Sequence, residues 1–371
     1  MGPVDSPSTP AEHFLRRHDN SAVERKYSGV NRMRKQLVTA AVVAALAGFG
    51  GNAMADENTN VGGKMYFDFS NISADVNGNN TDATGFGVDV KRFYLSVDHK
   101  FDDVFSANIT TDFNYQSNDG RTQVFVKKAY FQAKLTDDVA VRAGSADMPW
   151  IPYVEHLYGY RYVENTITDK LHFANSADWG MHLVGGDKNG LNYQVSLVNG
   201  NGYKNPSRSK GMDIEGRLGF APMDGMQIAL GAYSGKRGQD FETRSAANTA
   251  SRGDLLVAYA KDGIRVGGEY FTAKDWDTTQ AASDKADGFS IWGSMPVSET
   301  SNVFARFDTA KPSKDLLPDY KDKYFNIGLE LNPRKNVNVA FVYKREKKDN
   351  FNALGDSFKS DEIGIFTQVK F

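Results

Sequence analysis

The sequence predicts an all-β protein, a transmembrane antiparallel β-barrel of about 16 strands whose third long loop folds inward. Three observations lead there. Apolar and polar residues alternate with period two along most of the chain, the connectors between these runs alternate short and long, and an export signal lies near the start. Composition agrees. The 371 residues include 35 glycines and 12% aromatics, with only 11 prolines. No cysteine is present, which excludes a disulfide scaffold, a thiolate zinc site, a thiol nucleophile and a cysteine-ligated iron–sulfur cluster. A mean hydropathy of −0.50 with 24% charged residues excludes a helical membrane protein, which needs runs of about 20 mostly apolar residues. Near-balanced charge, 44 basic against 46 acidic residues, points to no nucleic-acid partner.

The first element is the export signal. Met33-Arg34-Lys35 precedes an apolar stretch from Leu37 to Gly50 and then Ala53-Met54-Ala55, which is a basic region, a short apolar region and an A-x-A cleavage site. Residues 33–55 are therefore expected to be a signal peptide and the mature chain to begin at Asp56. Residues 1–32 are polar, irregular and upstream of a natural-looking start methionine, so they are expected to be a mis-start or a non-native extension. Removing 1–55 takes 7 basic and 4 acidic residues from 44 and 46, leaving 37 and 42 and a net charge of −5.

From Asp56 to Phe371 a single barrel domain is expected. Ile264, Val266, Gly268 and Tyr270 alternate with Arg265, Gly267, Glu269 and Phe271, and Phe325, Ile327, Leu329 and Leu331 alternate with Tyr324, Asn326, Gly328 and Glu330. Runs of this kind place strands near 61–72, 86–98, 104–116, 122–135, 139–145, 176–185, 190–199, 211–220, 225–235, 253–260, 263–274, 287–296, 301–310, 321–332, 336–346 and 360–371. Fourteen or eighteen strands are also compatible, because boundaries read from sequence are soft. Asp262-Gly263 is the signal for a two-residue type I′ hairpin. An even strand number with short turns at one end and long loops at the other is the pattern of a membrane barrel. It puts both mature termini on the short-turn, periplasmic side.

Lipid satisfies no backbone hydrogen bonds, so a β protein within it must close on itself with its apolar face outward. The expected inner face then carries Lys64, Asp68, Arg92, Asp112, Lys128, Arg142, Arg217, Glu269, Arg306, Glu330 and Lys344. A packed interior would not tolerate so many charges, whereas sixteen strands enclose water. The polar inner face predicts a pore.

Several stretches carry a family resemblance. They are Gly63-Lys64-Met65-Tyr66-Phe67-Asp68, Val90-Lys91-Arg92-Phe93-Tyr94-Leu95, Val141-Arg142-Ala143-Gly144, the Pro149 to Glu155 stretch, Tyr193 to Gly202, Arg217 to Pro222, Gly268-Glu269-Tyr270-Phe271 and Ala305-Arg306-Phe307-Asp308. In this order they resemble the phosphate-selective porin O and P superfamily, over nearly all of 61–371. The resemblance implies a sixteen-stranded, trimeric channel of the Gram-negative outer membrane, set in lipid and lipopolysaccharide. Phe371, at the end of an alternating last strand, resembles the assembly signal of bacterial outer-membrane barrels, read by the barrel-assembly machinery. The family name points to anions such as phosphate among small hydrophilic solutes. The acidic total keeps a general, cation- or sugar-preferring porin open, and a monomeric surface-binding or adhesion barrel with a plugged lumen is the competing class.

Candidate site residues follow from the loop and the wall. The connector from about 146 to 175 carries Trp150, Tyr153, Tyr158, Tyr160 and Tyr162, and a loop that long in a compact protein is usually functional. Folded inward, it narrows the pore, with Asp147, Glu155, Arg161 and Glu164 setting the local field. Packing on neighbouring loops or on a trimer partner is the alternative. Wall residues Arg92, Lys128, Arg142, Arg217, Arg265 and Arg306 form a path for anions. Alternatively they pair with Asp98, Glu215, Glu269 and Asp308 and brace a solvated wall. Spacing along the strands favours Glu215–Arg217, Arg265–Glu269 and Arg306–Asp308 pairs. No catalytic, metal or cofactor site is expected. Of the mature histidines His99, His156, His172 and His182, only His156 adjoins a carboxylate, Glu155, inside the long loop, and adjacency in a loop does not hold a catalytic group. The Asp75 to Asn80 stretch departs from a calcium loop at its glycine and final glutamate positions.

Overall fold

The computed structural model describes residues 57–116, 121–187 and 190–371. The expected signal peptide, the 1–32 extension and the Asp56 start lie outside them, as does most of the second long connector.

Sixteen strands form the wall: β1 Thr59–Val76, β2 Gly85–Lys100, β3 Phe105–Gln116, β4 Arg121–Thr136, β5 Val139–Asp147, β6 Ala177–Gly186, β7 Leu191–Val198, β8 Asp213–Phe220, β9 Met226–Gly235, β10 Ala250–Lys261, β11 Ile264–Lys274, β12 Lys285–Ser298, β13 Ser301–Lys311, β14 Lys321–Arg334, β15 Val337–Asp349 and β16 Phe358–Lys370. Each pairs antiparallel with its sequence neighbours, and β16 pairs with β1 from Lys64↔Lys370 to Val76↔Phe358, so the sheet closes. The strand count matches the sequence reading, with ends displaced by up to four residues. Thus β1 runs past Ile72 because Ser73 to Val76 find ladder partners on β16. One short extra ladder was not anticipated: Asn79–Asn80 folds back on Asp75–Val76 inside the first long connector.

The turn at 262–263 takes the expected form. Asp262 and Gly263 both have positive φ, 53° and 79°, as a type I′ turn requires. Long connectors gather at the other end of the barrel, and the start of β1 and the end of β16 lie at the short-turn end.

Polarity is inverted relative to a water-soluble protein. Phe69, Val88, Ile109, Leu230, Leu255, Ile291, Ile327, Phe341 and Ile363 are exposed on the outside, while Asp68, Asp112, Glu215, Glu269, Arg306 and Lys344 are buried on the inside. A contiguous apolar exterior of this extent calls for lipid around it. The inner charges survive burial because they are partnered: Lys91 with Asp68 at 2.8 Å, Arg252 with Asp254 at 2.9 Å, and Arg306 with Asp308 at 2.6 Å.

Candidate functional site

Between β5 and β6, residues 148–176 leave the wall and cross the lumen. Their hydrogen bonds and ion pairs land on inward side chains of β8, β10, β11, β13, β14 and β15 (Glu215, Arg252, Glu269, Arg306, Glu330 and Lys344), which lie around the barrel from the loop's own root. The loop opens with helix α1 Ile151–Tyr158, started by Pro152 at its N-terminus and ended at Gly159. Gly159 has φ +82°, and a Cβ there would lie 2.8 Å from Arg265 Nε, so both handedness and the arginine's approach require glycine. A second short helix, α2 Ile167–Lys170, follows.

Apolar packing and charge together hold this loop. Trp150, Val154, Tyr158, Tyr160 and Tyr162 are buried with Leu256, Ala258, Trp292, Phe304, Val342 and Phe366, the apolar positions of the inner wall. Tyr160 stacks on Phe304 with centroids 4.2 Å apart. Gly231 on β9 leaves room for Trp150, since a Cβ would meet its ring at 2.6 Å. Trp150 donates from its backbone N–H to Glu215 at 3.0 Å and from Nε1 to Glu269 at 2.7 Å. Thr168 also donates to Glu269, and Tyr162 donates to Glu330 at 2.8 Å.

The arginines expected to face solutes on this side are spent on the loop. Arg217 donates to Pro149 O at 2.9 Å, Arg265 to His156 O and Leu157 O at 3.0 and 2.8 Å, and Arg306 to Asn165 O at 2.5 Å. Of the expected same-strand pairs, Arg306–Asp308 is present. Glu215 instead meets Arg252 at 3.3 Å, and Glu269 meets Trp150 and Thr168. A cross-strand arginine and a docked indole outcompete neighbours two to four residues away. Arg142 stands apart from the loop, donating to Gln132 at 2.8 Å with its guanidinium 5.1 Å from the centre of the Tyr130 ring.

The loop does not fill the lumen against the opposite wall, β1–β4. A cavity of about 640 Å³ lies between it and the loop, lined by Lys64, Lys127, Lys128, Arg161, Arg265 and Lys370 against Asp147 and Glu155, with Tyr66, Tyr94, Ser96 and Thr110. A smaller one of about 200 Å³ adjoins it, lined by Lys91, Arg92, Arg161 and Glu164. Lys128 pairs with Asp147 at 2.5 Å, Arg92 with Asp112 at 3.6 Å, and Arg161 with Glu155 and, at 3.3 Å, Asp169. Burial opposes ionisation of Glu164, but Lys344, Lys91, Lys170 and Arg306 outweigh it and bring its carboxyl down to about 2. Burial, followed by Arg265, Lys370 and Lys64, lowers the His156 imidazole and favours its neutral form.

Two side chains here were invisible to strict alternation. The ladders shift register between Tyr66 and Phe67 opposite Lys91, and between Thr110 and Thr111 opposite Lys127. Each bulge turns an extra lysine into the lumen beside its inward neighbour, Arg92 or Lys128. The adjacent basic pairs Lys91-Arg92 and Lys127-Lys128, inside otherwise alternating strands, are the sequence signal. The connector after β7 also reaches inward: Tyr203 donates to Asp112 at 2.8 Å.

The model of the phosphate-selective porin O and P family matches residues 59–262. No curated protein matches the chain by sequence. Solved structures with a similar fold include an anion-selective porin from Comamonas acidovorans (13% identity, 84% of this chain and 99% of that chain, TM-score 0.60). Others are the outer-membrane channel DcaP of Acinetobacter baumannii (11%, 84% and 97%, TM-score 0.61) and the trimer form of in-vitro folded OmpT, an outer-membrane protein of Vibrio cholerae (12%, 84% and 99%, TM-score 0.55).

Proposed function

The chain belongs to the phosphate-selective porin O and P family and is an outer-membrane channel, and on that premise we propose that it passes small hydrophilic solutes by passive diffusion and prefers anions, phosphate among them. The observation that carries this reading is the lining of the larger cavity, where Lys64, Lys127, Lys128, Arg161 and Lys370, with Arg265 held on the loop carbonyls, face the side-chain carboxylates of Asp147 and Glu155 and the chain's terminal residue Phe371. The acidic excess of the chain sits elsewhere, on exposed turns and loops such as Asp102, Asp103, Asp137, Asp138, Asp224, Asp262 and Asp277. Salt damps charges there within about 8 Å, whereas charges against a low-dielectric wall act on every solute that passes. The loop 148–176 is the constriction in this reading, and it fills one side of the lumen and directs solutes along β1–β4. Arg92, Lys128 and the bulge lysines supply the cationic side, and Glu155 and Glu164 the opposing one.

The same reading makes the protein a homotrimer in lipid and lipopolysaccharide, delivered by a signal peptide and inserted by the barrel-assembly machinery, with both mature termini in the periplasm. It requires no cofactor. Phosphate uptake into proteoliposomes along its gradient, without an energy source, tests it. Uptake that depends on an added energy-transducing partner would contradict it, and protein that gives no conductance in planar bilayers would favour a plugged binding barrel.

A further inference from the structure

We propose that the long-connector end of β14–β16 carries a docking site for the phosphate groups of lipopolysaccharide, built on Lys323, Lys347 and Lys359 side by side on the lipid-facing wall. The inference rests on the outer-membrane placement and on the orientation given above, with the mature termini in the periplasm and this end in the outer leaflet. Register sets the three lysines next to one another. Lys323 of β14 stands directly opposite Lys347 of β15, and Lys347 directly opposite Lys359 of β16. Neighbouring strands lie about 4.8 Å apart, so the row spans about 10 Å. Alternation turns all three outward. Lys323 shares its face with Phe325 and Ile327, Lys347 with Tyr343 and Phe341, and Lys359 with Ile363, whereas Tyr324, Lys344 and Phe366 on the same strands are buried inside. The row therefore caps the apolar band on this side of the barrel, at the depth where a lipid-facing charge stops being costly.

Like charges directly opposite one another on a sheet repel, and the fold cancels these only in part. On this outward face Lys321, Lys323, Arg345, Lys347 and Lys359 meet three carboxylates, Asp75, Asp349 and Asp361. Asp349 takes Lys347 at 2.8 Å, while Asp361 takes Lys359 at 3.1 Å, Arg345 at 3.0 Å and the Tyr343 hydroxyl at 2.5 Å. Asp75, opposite Lys359, accepts from the Gly78 amide. Lys321 and Lys323 are exposed and have no ion pair among the described residues. Lysines that only reach from lipid toward water need no such grouping. A partner that relieves it must be anionic at the height of the lysines and apolar below them. Lipopolysaccharide meets both conditions, with acyl chains for the apolar band and a phosphate at each end of its lipid A sugar headgroup. One molecule can thus engage Lys323 and Lys359 together, whereas a lipid with a single phosphate engages one neighbouring pair. Each ammonium offers three donors and no acceptor, and charge-assisted hydrogen bonds to phosphate are individually strong.

The test is titration of the mature channel, freed of lipid in detergent, with bisphosphorylated lipid A, read by native mass spectrometry. Wild type is expected to bind it saturably and to bind lipid A stripped of phosphate weakly. Lys323→Gln/Lys347→Gln/Lys359→Gln should raise the dissociation constant by about tenfold or more. Lys323→Gln alone, which breaks no ion pair, should give part of the shift and covers the case where the triple variant folds poorly. Lys274→Gln, an exposed lysine at the same end of β11, should not move it. Unchanged affinity in both row variants, or phosphatidylglycerol competing on equal terms with lipid A, overturns the site and leaves the channel reading standing. Orientation is checked separately in intact cells with Leu354→Cys, the sole cysteine such a chain would hold, exposed in the connector between β15 and β16. Labelling by a membrane-impermeant maleimide is expected. Its absence would put the row at the inner leaflet and overturn the orientation and the site together.

Discussion

Replacing Trp150 by alanine should release the root of the lumen loop while leaving the barrel intact. The indole is fully buried, packs where Gly231 leaves space, and donates to Glu269 at 2.7 Å. Truncating a buried tryptophan costs about 3–5 kcal/mol. Leaving Glu269 with Thr168 as its remaining loop donor adds about 1–3 kcal/mol. Loop docking should therefore weaken by roughly 4–7 kcal/mol, taking the larger costs as partly overlapping. The anchors farther along survive, namely Arg306 on Asn165 O, Tyr162 on Glu330 and Lys344 on Glu164. The loop should consequently fluctuate rather than leave the lumen. Trp150→Phe keeps most of the volume and loses chiefly the Nε1–H donor, about 1–2 kcal/mol. Single-channel recording should show noisy, enlarged conductance for Trp150→Ala and near-normal conductance for Trp150→Phe, with unchanged far-ultraviolet circular dichroism for both. A folded Trp150→Ala channel with wild-type conductance and noise would refute the assignment of this loop as the constriction.

Other expectations bear on separate parts of the molecule. Gly180→Val should weaken the β6–β7 pairing by about 1–3 kcal/mol, because a Cβ at Gly180 would lie 2.0 Å from the Leu197 backbone oxygen; a lowered unfolding midpoint in denaturant checks it. The Glu164 carboxyl is depressed from 4.5 to about 2, so its contribution to loop docking is complete above pH 4.5 and is lost as pH falls from there toward 2. Channel noise should accordingly stay flat from pH 7 to about 5 and rise below about 4, while Glu164→Gln should be noisy already at pH 7. Arg92→Gln should leave Asp112 less opposed and move ion preference toward cations, whereas Arg142→Ala, whose guanidinium lies over Tyr130 away from the loop, should move it less; reversal potentials compare the two.

Most of the architecture was legible because a period of two, once one face must meet lipid, leaves no freedom in which side chains point out. Ile264 to Phe271 illustrates this, with Arg265, Glu269 and Phe271 inward as the pattern required. The pairing of charges was not legible. Spacing along one strand placed Arg217 with Glu215 and Arg265 with Glu269, but the loop carbonyls and Arg252 were not visible as competitors until the chain had folded back through its own barrel. The inner apolar positions Leu256, Trp292, Phe304, Val342 and Phe366 look anomalous in a solvated pore and make sense only as the seat of the loop aromatics. Lys91 and Lys127 were missed for a different reason. Alternation assigns one residue of each basic pair outward, into lipid, and a bulge removes that cost by adding a residue to one strand.

The reversal potential of the wild-type channel in a potassium chloride gradient across a planar bilayer tests the central claim most directly, because it weighs the cationic wall of β1–β4 against the acidic total of the chain in one number. The cavity lining predicts a chloride permeability greater than that of potassium. A potential set by potassium would contradict it, and would mean that Glu155, Glu164 and Asp147, not the lysines facing them, govern what passes.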